Sequence, residues 1–462
     1  MRGKKRQIRI NVFARKSTIF QWFLYMTIPE IKSPVVIFWF RRDLRLGDNA
    51  GLYAALRSDL PVLPLFIFDK TILKILSNKG DARVTFIHQQ LSELNYDLSS
   101  FNSSILALYG NPVDLWENIC SMMDIKAVFV NRDYEPYARE RDEAVKHILA
   151  NRNIEFREFK DQVIFEPAQV VKDDGLPYSV FTPYRNKWLR QFTPASVEPT
   201  PSNLLLDKLL KFSDKLLTLK EIGFRTSKLN IPKPLFNFEI IKNYQHTRDY
   251  PAVDGVSRLG VHFRFGTLSI REAVRIAGDL SETWLNELIW REFFMTVLYH
   301  HPQTIDQPFR SNYANLPWNA DDKVFENWKQ GLTGFPIVDA GMRELNATGY
   351  MHNRVRMITA NFLTKLLRVD WRLGERWFAE KLLDFELSSN VGNWQWAAGC
   401  GCDAAPYFRI FNPWTQQQKF DADKIYIKKW LPEYGTRDYP APMIDYSSER
   451  KISLDWFKHF LN

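Results

Sequence analysis

Residues Asn390–Pro413 read NVGNWQWAAGCGCDAAPYFRIFNP. Two tryptophans, Trp394 and Trp396, stand two residues apart among small residues, with Asp403, Arg409 and three further aromatics close behind. A solvated loop does not carry so many aromatic rings, and a plain amphipathic helix does not carry so much Gly and Ala. The mixture suits a backbone wrapped closely round a large, flat, polarizable ligand, because glycine admits close approach and aromatic rings offer it their faces. A Trp-rich run by itself is more often packed core. Its neighbours decide.

The same skew runs through the C-terminal half, where 11 of the 15 Trp fall at or after Trp284. That half therefore has a different task from the N-terminal half. The 462 residues are enough for two or three domains, and 45% hydrophobic with 25% charged residues is ordinary for a folded globular chain. A net charge of +9 is compatible with a polyanionic partner such as DNA but does not establish one. Three cysteines, Cys120, Cys400 and Cys402, lack both the number for a disulfide framework and the spacing of a metal site, so small buried thiols are expected and no bound metal. No apolar run reaches membrane-spanning length, so no membrane is expected as a partner.

Residues 1–33 form a basic extension, with Arg2, Lys4, Lys5, Arg6, Arg9, Arg15 and Lys16 and no acid before Glu30. Two readings stand: a translation start at Met26, which the missing cleavage pattern favours, or an organellar targeting segment over residues 1–25. Otherwise a cytoplasmic, bacterial-type protein and a monomer are expected.

From Pro34, apolar runs alternate with amphipathic stretches. Val35–Phe40, Val62–Asp69, Ser104–Gly110, Ala127–Asp133 and a shorter run near Val163–Phe165 read as buried strands, with helical patterns such as Ala82–Leu98 and Arg139–Ala150 between them. This predicts an α/β N-terminal domain over 34–165, a doubly wound parallel sheet covered on both faces. No GxGxxG or GxxxxGK[ST] follows any strand. Residues 166–240 mix Pro, Lys, Ser and Leu without clean periodicity and read as a surface connector. Residues 241–462 carry helical spacing only, which predicts an all-α C-terminal domain.

Three more strings carry chemistry. FWFRRDLRLGDN (Phe38–Asn49) sets Arg41, Arg42, Arg45, Asp43 and Asp48 at the carboxyl end of the first strand, where open α/β sheets place ligands. A structural ion-pair network explains the same residues at least as well. In WLNELIWREFF (Trp284–Phe294), Glu287, Trp290 and Arg291 share one helical face. That face can stack a base and bond its edge, or it can be a core Trp beside a surface ion pair. In GYMHNRVRMITANF (Gly349–Phe362), Asn353 and Met357 share a face beside Arg354 and Arg356.

Together with YEPYARERD (Tyr134–Asp142), LPYSVFTPYRNKW (Leu176–Trp188) and YQHTRDYPAVDGVSRLGVHFRFG (Tyr244–Gly266), these strings closely resemble the photolyase and cryptochrome family. The resemblance covers nearly all of Pro34 to about Pro440 and is greatest to class I-type photolyases of cyclobutane pyrimidine dimers. It implies FAD in the helical domain, and an antenna chromophore, methenyltetrahydrofolate or deazaflavin, in the α/β domain. Light-excited reduced FAD would pass an electron to the dimer, whose ring splits before the electron returns.

The resemblance also assigns residues. Tyr244, Val256, Ser257, Arg258, Leu259, Gly260, Arg291, Arg356, Asp384, Glu386 and Asn390 would bind the cofactor, with Arg356 paired to Asp384 and Asn390 opposite flavin N5. Val256 and Gly260 stand where the family has hydroxyl residues, and Glu386 where it usually has Asp. Glu287 and Trp290 would bond and stack on the lesion. Asn353 and Met357 replace the two histidines of enzymes acting on (6-4) photoproducts. Trp394, Trp371 and Trp318 would form a chain from flavin to surface. Arg248, Arg354, Trp396, Arg409 and Lys419, with Glu287 and Trp290, would face UV-damaged DNA. The rival readings are a blue-light photoreceptor without repair, a (6-4) photolyase, and a plain flavoprotein oxidoreductase, which the missing nicotinamide fingerprint disfavours.

Overall fold

A computed structural model describes residue 31 and residues 33–461. The basic stretch before them, with the two readings of its start, lies outside the described residues. The first lobe runs β1 (Val35–Phe40), α1 (Ala50–Leu56), β2 (Val62–Asp69), α2 (Lys70–Leu73), α3 (Ala82–Ser99), β3 (Leu106–Gly110), α4 (Pro112–Met122), β4 (Ile125–Asn131), α5 (Pro136–Ala150) and β5 (Glu155–Phe159). All pairings are parallel, in the order β3-β2-β1-β4-β5. Side chains alternate along β1 and both faces are apolar: Val36, Phe38 and Phe40 enter one core, while Ile37 and Trp39 enter the other.

The fifth strand departs from the sequence reading. It is Glu155–Phe159, an edge strand of partly exposed residues paired from Ala127–Asn131. Val163–Phe165 is buried but not a strand, because a side chain takes its amides: the Ile164 and Phe165 N–H groups donate to the Glu292 carboxylate at 2.6 and 3.2 Å. Nor is 166–240 only a surface drape. It contains α6 (Phe181–Gln191), which buries Phe181, Tyr184 and Trp188 at i, i+3 and i+7 against α10 (Glu282–His300).

No described residue after Ile241 lies in a named strand. The helical lobe contains α7 (Phe238–Thr247), α8 (Gly260–Phe265), α9 (Ile270–Leu280), α10, α11 (Asp322–Gln330), α12 (Pro336–Thr348), α13 (Asn353–Asn361), α14 (Trp371–Lys381), α15 (Leu387–Ala398), α16 (Pro413–Phe420), α17 (Ile425–Trp430) and α18 (Tyr446–Leu461). Its core holds Trp328, Phe335, Met342, Leu363, Trp371 and Trp394, each contributing about 1.5–3 kcal/mol or more by leaving water.

The charges after β1 bolt the lobes together. Arg42 donates to the Arg264 carbonyl at 3.1 Å and pairs with Asp133 and Glu135. Arg45 reaches the Gly266 carbonyl at 2.9 Å and pairs with Asp161, which Arg271 also grips. Asp48 accepts from Ser269 Oγ and Arg271. The structural reading of this set is the one the geometry carries.

Candidate functional site

Helices α13, α14 and α15 enclose an open cavity. Its wall holds Asn353, Arg356, Met357, Asp384, Glu386 and Asn390, with Trp394 and Trp396 beyond them. Helix α15 begins where Glu386 caps it, accepting from Ser389 N–H at 2.9 Å and Ser388 Oγ at 2.5 Å. It ends at Gly399, whose left-handed φ of 90° lets its N–H close on Gln395 and Trp396. The cap explains why Asn390 sits one turn in, facing the cavity.

The polar atoms of this wall are oriented. Arg356 pairs with Asp384 at 2.9 Å, as the resemblance implies, and also donates to the Met351 carbonyl at 2.7 Å. The second oxygen of Asp384 is buried without a hydrogen-bond partner among the described residues, and so is Oε1 of Glu386. Asn390 gives its amide N–H to Glu375 at 2.8 Å, which leaves its carbonyl oxygen free. Burial alone would raise Glu386, yet Arg42, Arg264 and the Ser388 hydroxyl hold it below its ordinary range, so it is an anion. Buried acceptors without donors are costly. This set therefore fits a flat ligand with donors along one edge, as a flavin ring has.

A second open cavity meets the first at Asp384 and is lined by Arg258, Glu344 and Tyr350. Arg258 and Arg356 both lie over the Tyr350 ring, at 5.1 and 5.6 Å. Gly260 is explained here. A Cβ at that position would stand 2.9 Å from Asp384 Cβ, so the hydroxyl residue usual in the family would press on the Arg356–Asp384 pair. Leu259 is buried, Tyr244, Val256 and Ser257 are half-buried, and none of the four lines either cavity. Arg291 is also apart from the wall. It donates to the Gln162 carbonyl across the lobe junction and to the Phe263 carbonyl of α8, and burial pushes it down to about 10.

Glu287 and Trp290 do not line either cavity; Glu287 pairs with Arg248 at 2.6 Å. Trp290 stacks on Phe181 with ring centroids 3.7 Å apart and planes at 8°. Arg354 pairs with Asp249 at 2.6 Å, lies 4.4 Å over Phe420, and reaches toward the Met357 sulfur. Lys419 lies over the same Phe420 ring, and Arg409 over Trp396. Arg409 and Lys419 are exposed and carry no ion pair among the described residues. Arg354 and Arg409 thus lie beside the cavity-lining Met357 and Trp396, and Lys419 shares the Phe420 ring with Arg354.

Beside Asn353, protonation is fixed. His352 next to Asn353 accepts the Arg354 N–H at Nδ1, and burial together with Arg356 pushes it down to about 4, so it is neutral. Of the three tryptophans, Trp394 and Trp371 are buried and Trp318 is half-buried. Gly374, one turn after Trp371, admits the Trp394 ring where a Cβ would lie 2.2 Å from it. Cys400 and Cys402 are buried thiols pushed up to about 12 by burial. Sequence reasoning missed Glu375, which orients Asn390, Asp249, which holds Arg354, and Phe181, which stacks on Trp290. Each acts through a fold contact that no spacing announces.

Residues 36–203 match the family described as DNA photolyase, and residues 284–436 the FAD binding domain of DNA photolyase. A deoxyribodipyrimidine photo-lyase of Synechococcus sp. is 37% identical over 90% of this chain and 95% of its own. The crystal structure of a bacterial class III photolyase from Agrobacterium tumefaciens superposes with a TM-score of 0.82 at 31% identity, covering 94% of this chain and 99% of that one. A cryptochrome of Synechocystis sp. superposes at 0.79 with 26% identity, over 92% and 100%. The chain belongs to the DNA photolyase and cryptochrome family, and its helical lobe is the FAD-binding domain. No described helix is long and apolar enough to cross a membrane.

Proposed function

We propose that this protein repairs cyclobutane pyrimidine dimers in DNA under light. The observation that carries the reading is the wall around Asn353 and Met357: both are neutral, and the adjacent His352 is held neutral as well. Splitting this dimer requires an electron and no net proton, so a titrating group there would serve nothing. FAD held here would, when reduced and excited by light, supply that electron and receive it again.

The chain's own residues do the rest. Asp384, Glu386 and the Asn390 carbonyl oxygen accept from the polar edge of the flavin and fix its plane. Arg258, which lines the second cavity, holds the anionic outer parts of the cofactor, and Ser257 beside it, with Tyr244 and the backbone of Val256, Leu259 and Gly260, forms the segment that carries it. Arg291 supports the flavin-facing wall through the lobe junction. Arg248, Arg354, Arg409 and Lys419 contact phosphates on either side of the lesion, which sets register without reading sequence. The dimer leaves the helix and enters the cavity; a damaged, poorly paired dinucleotide is less costly to extrude than an intact one. Glu287 bonds its edge, while Trp290 and Trp396 stack against it. Trp394, Trp371 and Trp318 carry electrons inward when the flavin needs reduction. An antenna chromophore of folate or deazaflavin type sits on the α/β lobe.

Glu287→Ala should lower the repair yield per absorbed photon while flavin stays bound, because Glu287 is not part of the flavin wall. Release of flavin from that variant would refute the assignment. A photoreceptor without repair shares the same cavity and is favoured by the cryptochrome likeness alone. It predicts no restored thymines from wild-type protein.

A further inference from the structure

Beyond Trp394, Trp371 and Trp318, a further indole stands next to Trp318 in this chain. Helix α18, beyond the segment that matches the FAD-binding domain, packs Trp456 against it with ring centroids 5.5 Å apart. The contact is built in. Asn319 donates its N–H to the Arg368 carbonyl at 2.7 Å and bridges to Val369, which brings Trp318 beside the start of α14, the helix of Trp371. The same Arg368 reaches across to α18, donating to Ser453 Oγ at 2.9 Å and pairing with Glu449. Ser453 in turn donates to the Lys365 carbonyl at 2.5 Å, and Phe457 beside Trp456 is wholly buried. Helix α18 is therefore locked in place on both sides of the residue that carries the indole. On its outer side Trp456 meets Phe460, which is 45% exposed.

We propose that Trp456 is the surface terminus of the electron path, the group through which an external reductant reaches the flavin site. The inference rests on the reading of the three inner tryptophans as that path. When Trp318 has given up an electron inward, Trp456 fills the hole: Trp318 is reduced and Trp456 oxidised, by one electron. A small thiol in solution then reduces Trp456 and ends as disulfide after two such events, its protons going to water. An indole is the natural relay here because neighbouring Phe457 and Phe460 are much harder to oxidise. Aromatic contact at this range also keeps the two rings electronically close.

The test uses the full chain with FAD bound and oxidised, blue light, and dithiothreitol as the thiol. Photoreduction is followed by flavin absorbance for wild type, Trp456→Phe and Trp318→Phe. A second readout, independent of the flavin signal, maps oxidised tryptophan by mass spectrometry after illumination without thiol. Trp456→Phe keeps a ring in the α18 packing and should slow photoreduction several-fold. Oxidation should mark Trp456 in wild type and move to Trp318 in that variant. An unchanged rate in Trp456→Phe, or wild-type oxidation confined to Trp318, overturns the proposal. If instead Trp318→Phe photoreduces as wild type does, or wild type does not photoreduce at all, the three-tryptophan path has failed, and the proposal with it.

Discussion

The two lobes each gather charge at a place where their folds put ligands, and they do opposite things with it. At the carboxyl ends of β1, β4 and β5, Arg42 pairs with Asp133 and Arg45 with Asp161, which Arg271 of the helical lobe also grips. In the helical lobe, Asp384 and Glu386 each keep one buried oxygen without a hydrogen bond among the described residues, and Asn390 keeps its carbonyl oxygen. A set of charges that satisfies itself holds structure together. A set left unsatisfied next to a cavity awaits a ligand. The single thread between them is Arg42, whose Nη2 is unbonded and stands 3.6 Å from Glu386.

The contrast breaks most visibly at the junction. Arg45→Ala leaves Asp161, with 1% of its side chain exposed, held by Arg271 and the Ala50 N–H alone among the described residues. A broken buried pair costs about 3–5 kcal/mol, so thermal unfolding should move sharply down, with flavin content following the fold. If the melting temperature stays put, the junction is not glue. Asp384→Ala should do the reverse. It strands Arg356 for about 1–3 kcal/mol, a smaller loss in melting temperature, yet flavin should be lost from the folded protein, as absorbance after purification would show. Normal flavin content would end the reading of the unpaired acceptors.

Glu292 sharpens the comparison from beneath. It is fully enclosed, accepts from Ile164, Phe165 and Trp188, and burial pushes it up to about 7. The folded state therefore holds a proton that the unfolded chain has released by that pH. Its contribution to stability is present below about 4.5 and is lost as pH rises through about 7. Glu292→Gln should flatten that slope in a series of melts across pH, while lowering the acid-side plateau by about 1–3 kcal/mol. An identical slope would move the titration elsewhere. The smallest effect belongs to an exposed cation. Lys419→Ala should leave folding and flavin alone and lower the salt slope of DNA binding by roughly 0.9. A loss confined to one DNA sequence would mean that Lys419 reads bases.

The sequence made four strands plain because each is an apolar run bounded by helices. It hid β5 because Glu155, Arg157 and Glu158 sit on an edge strand that water can reach, while the apolar Val163–Phe165 is bound by a side chain 127 or 128 positions away. Helix α6 was visible in the period of Phe181, Tyr184 and Trp188, yet flanking prolines and lysines masked it. At the site, the Arg356–Asp384 pair and the shared face of Asn353 and Met357 could be read through the family resemblance, because motifs preserve local spacing. What could not be read were supports reached only through the fold. Glu375 behind Asn390 and Arg42 behind Glu386 belong to this class, and so does the reason for Gly260, a clash with Asp384 that no local pattern foretells.

The most direct measurement presents the reduced, FAD-bound protein with two oligonucleotides, one holding a cyclobutane thymine dimer and one a (6-4) photoproduct, in blue light and in the dark. The account predicts restored thymines from the cyclobutane dimer only, and only in light. Restoration from the (6-4) product, or none from either with reduced flavin bound, would contradict it.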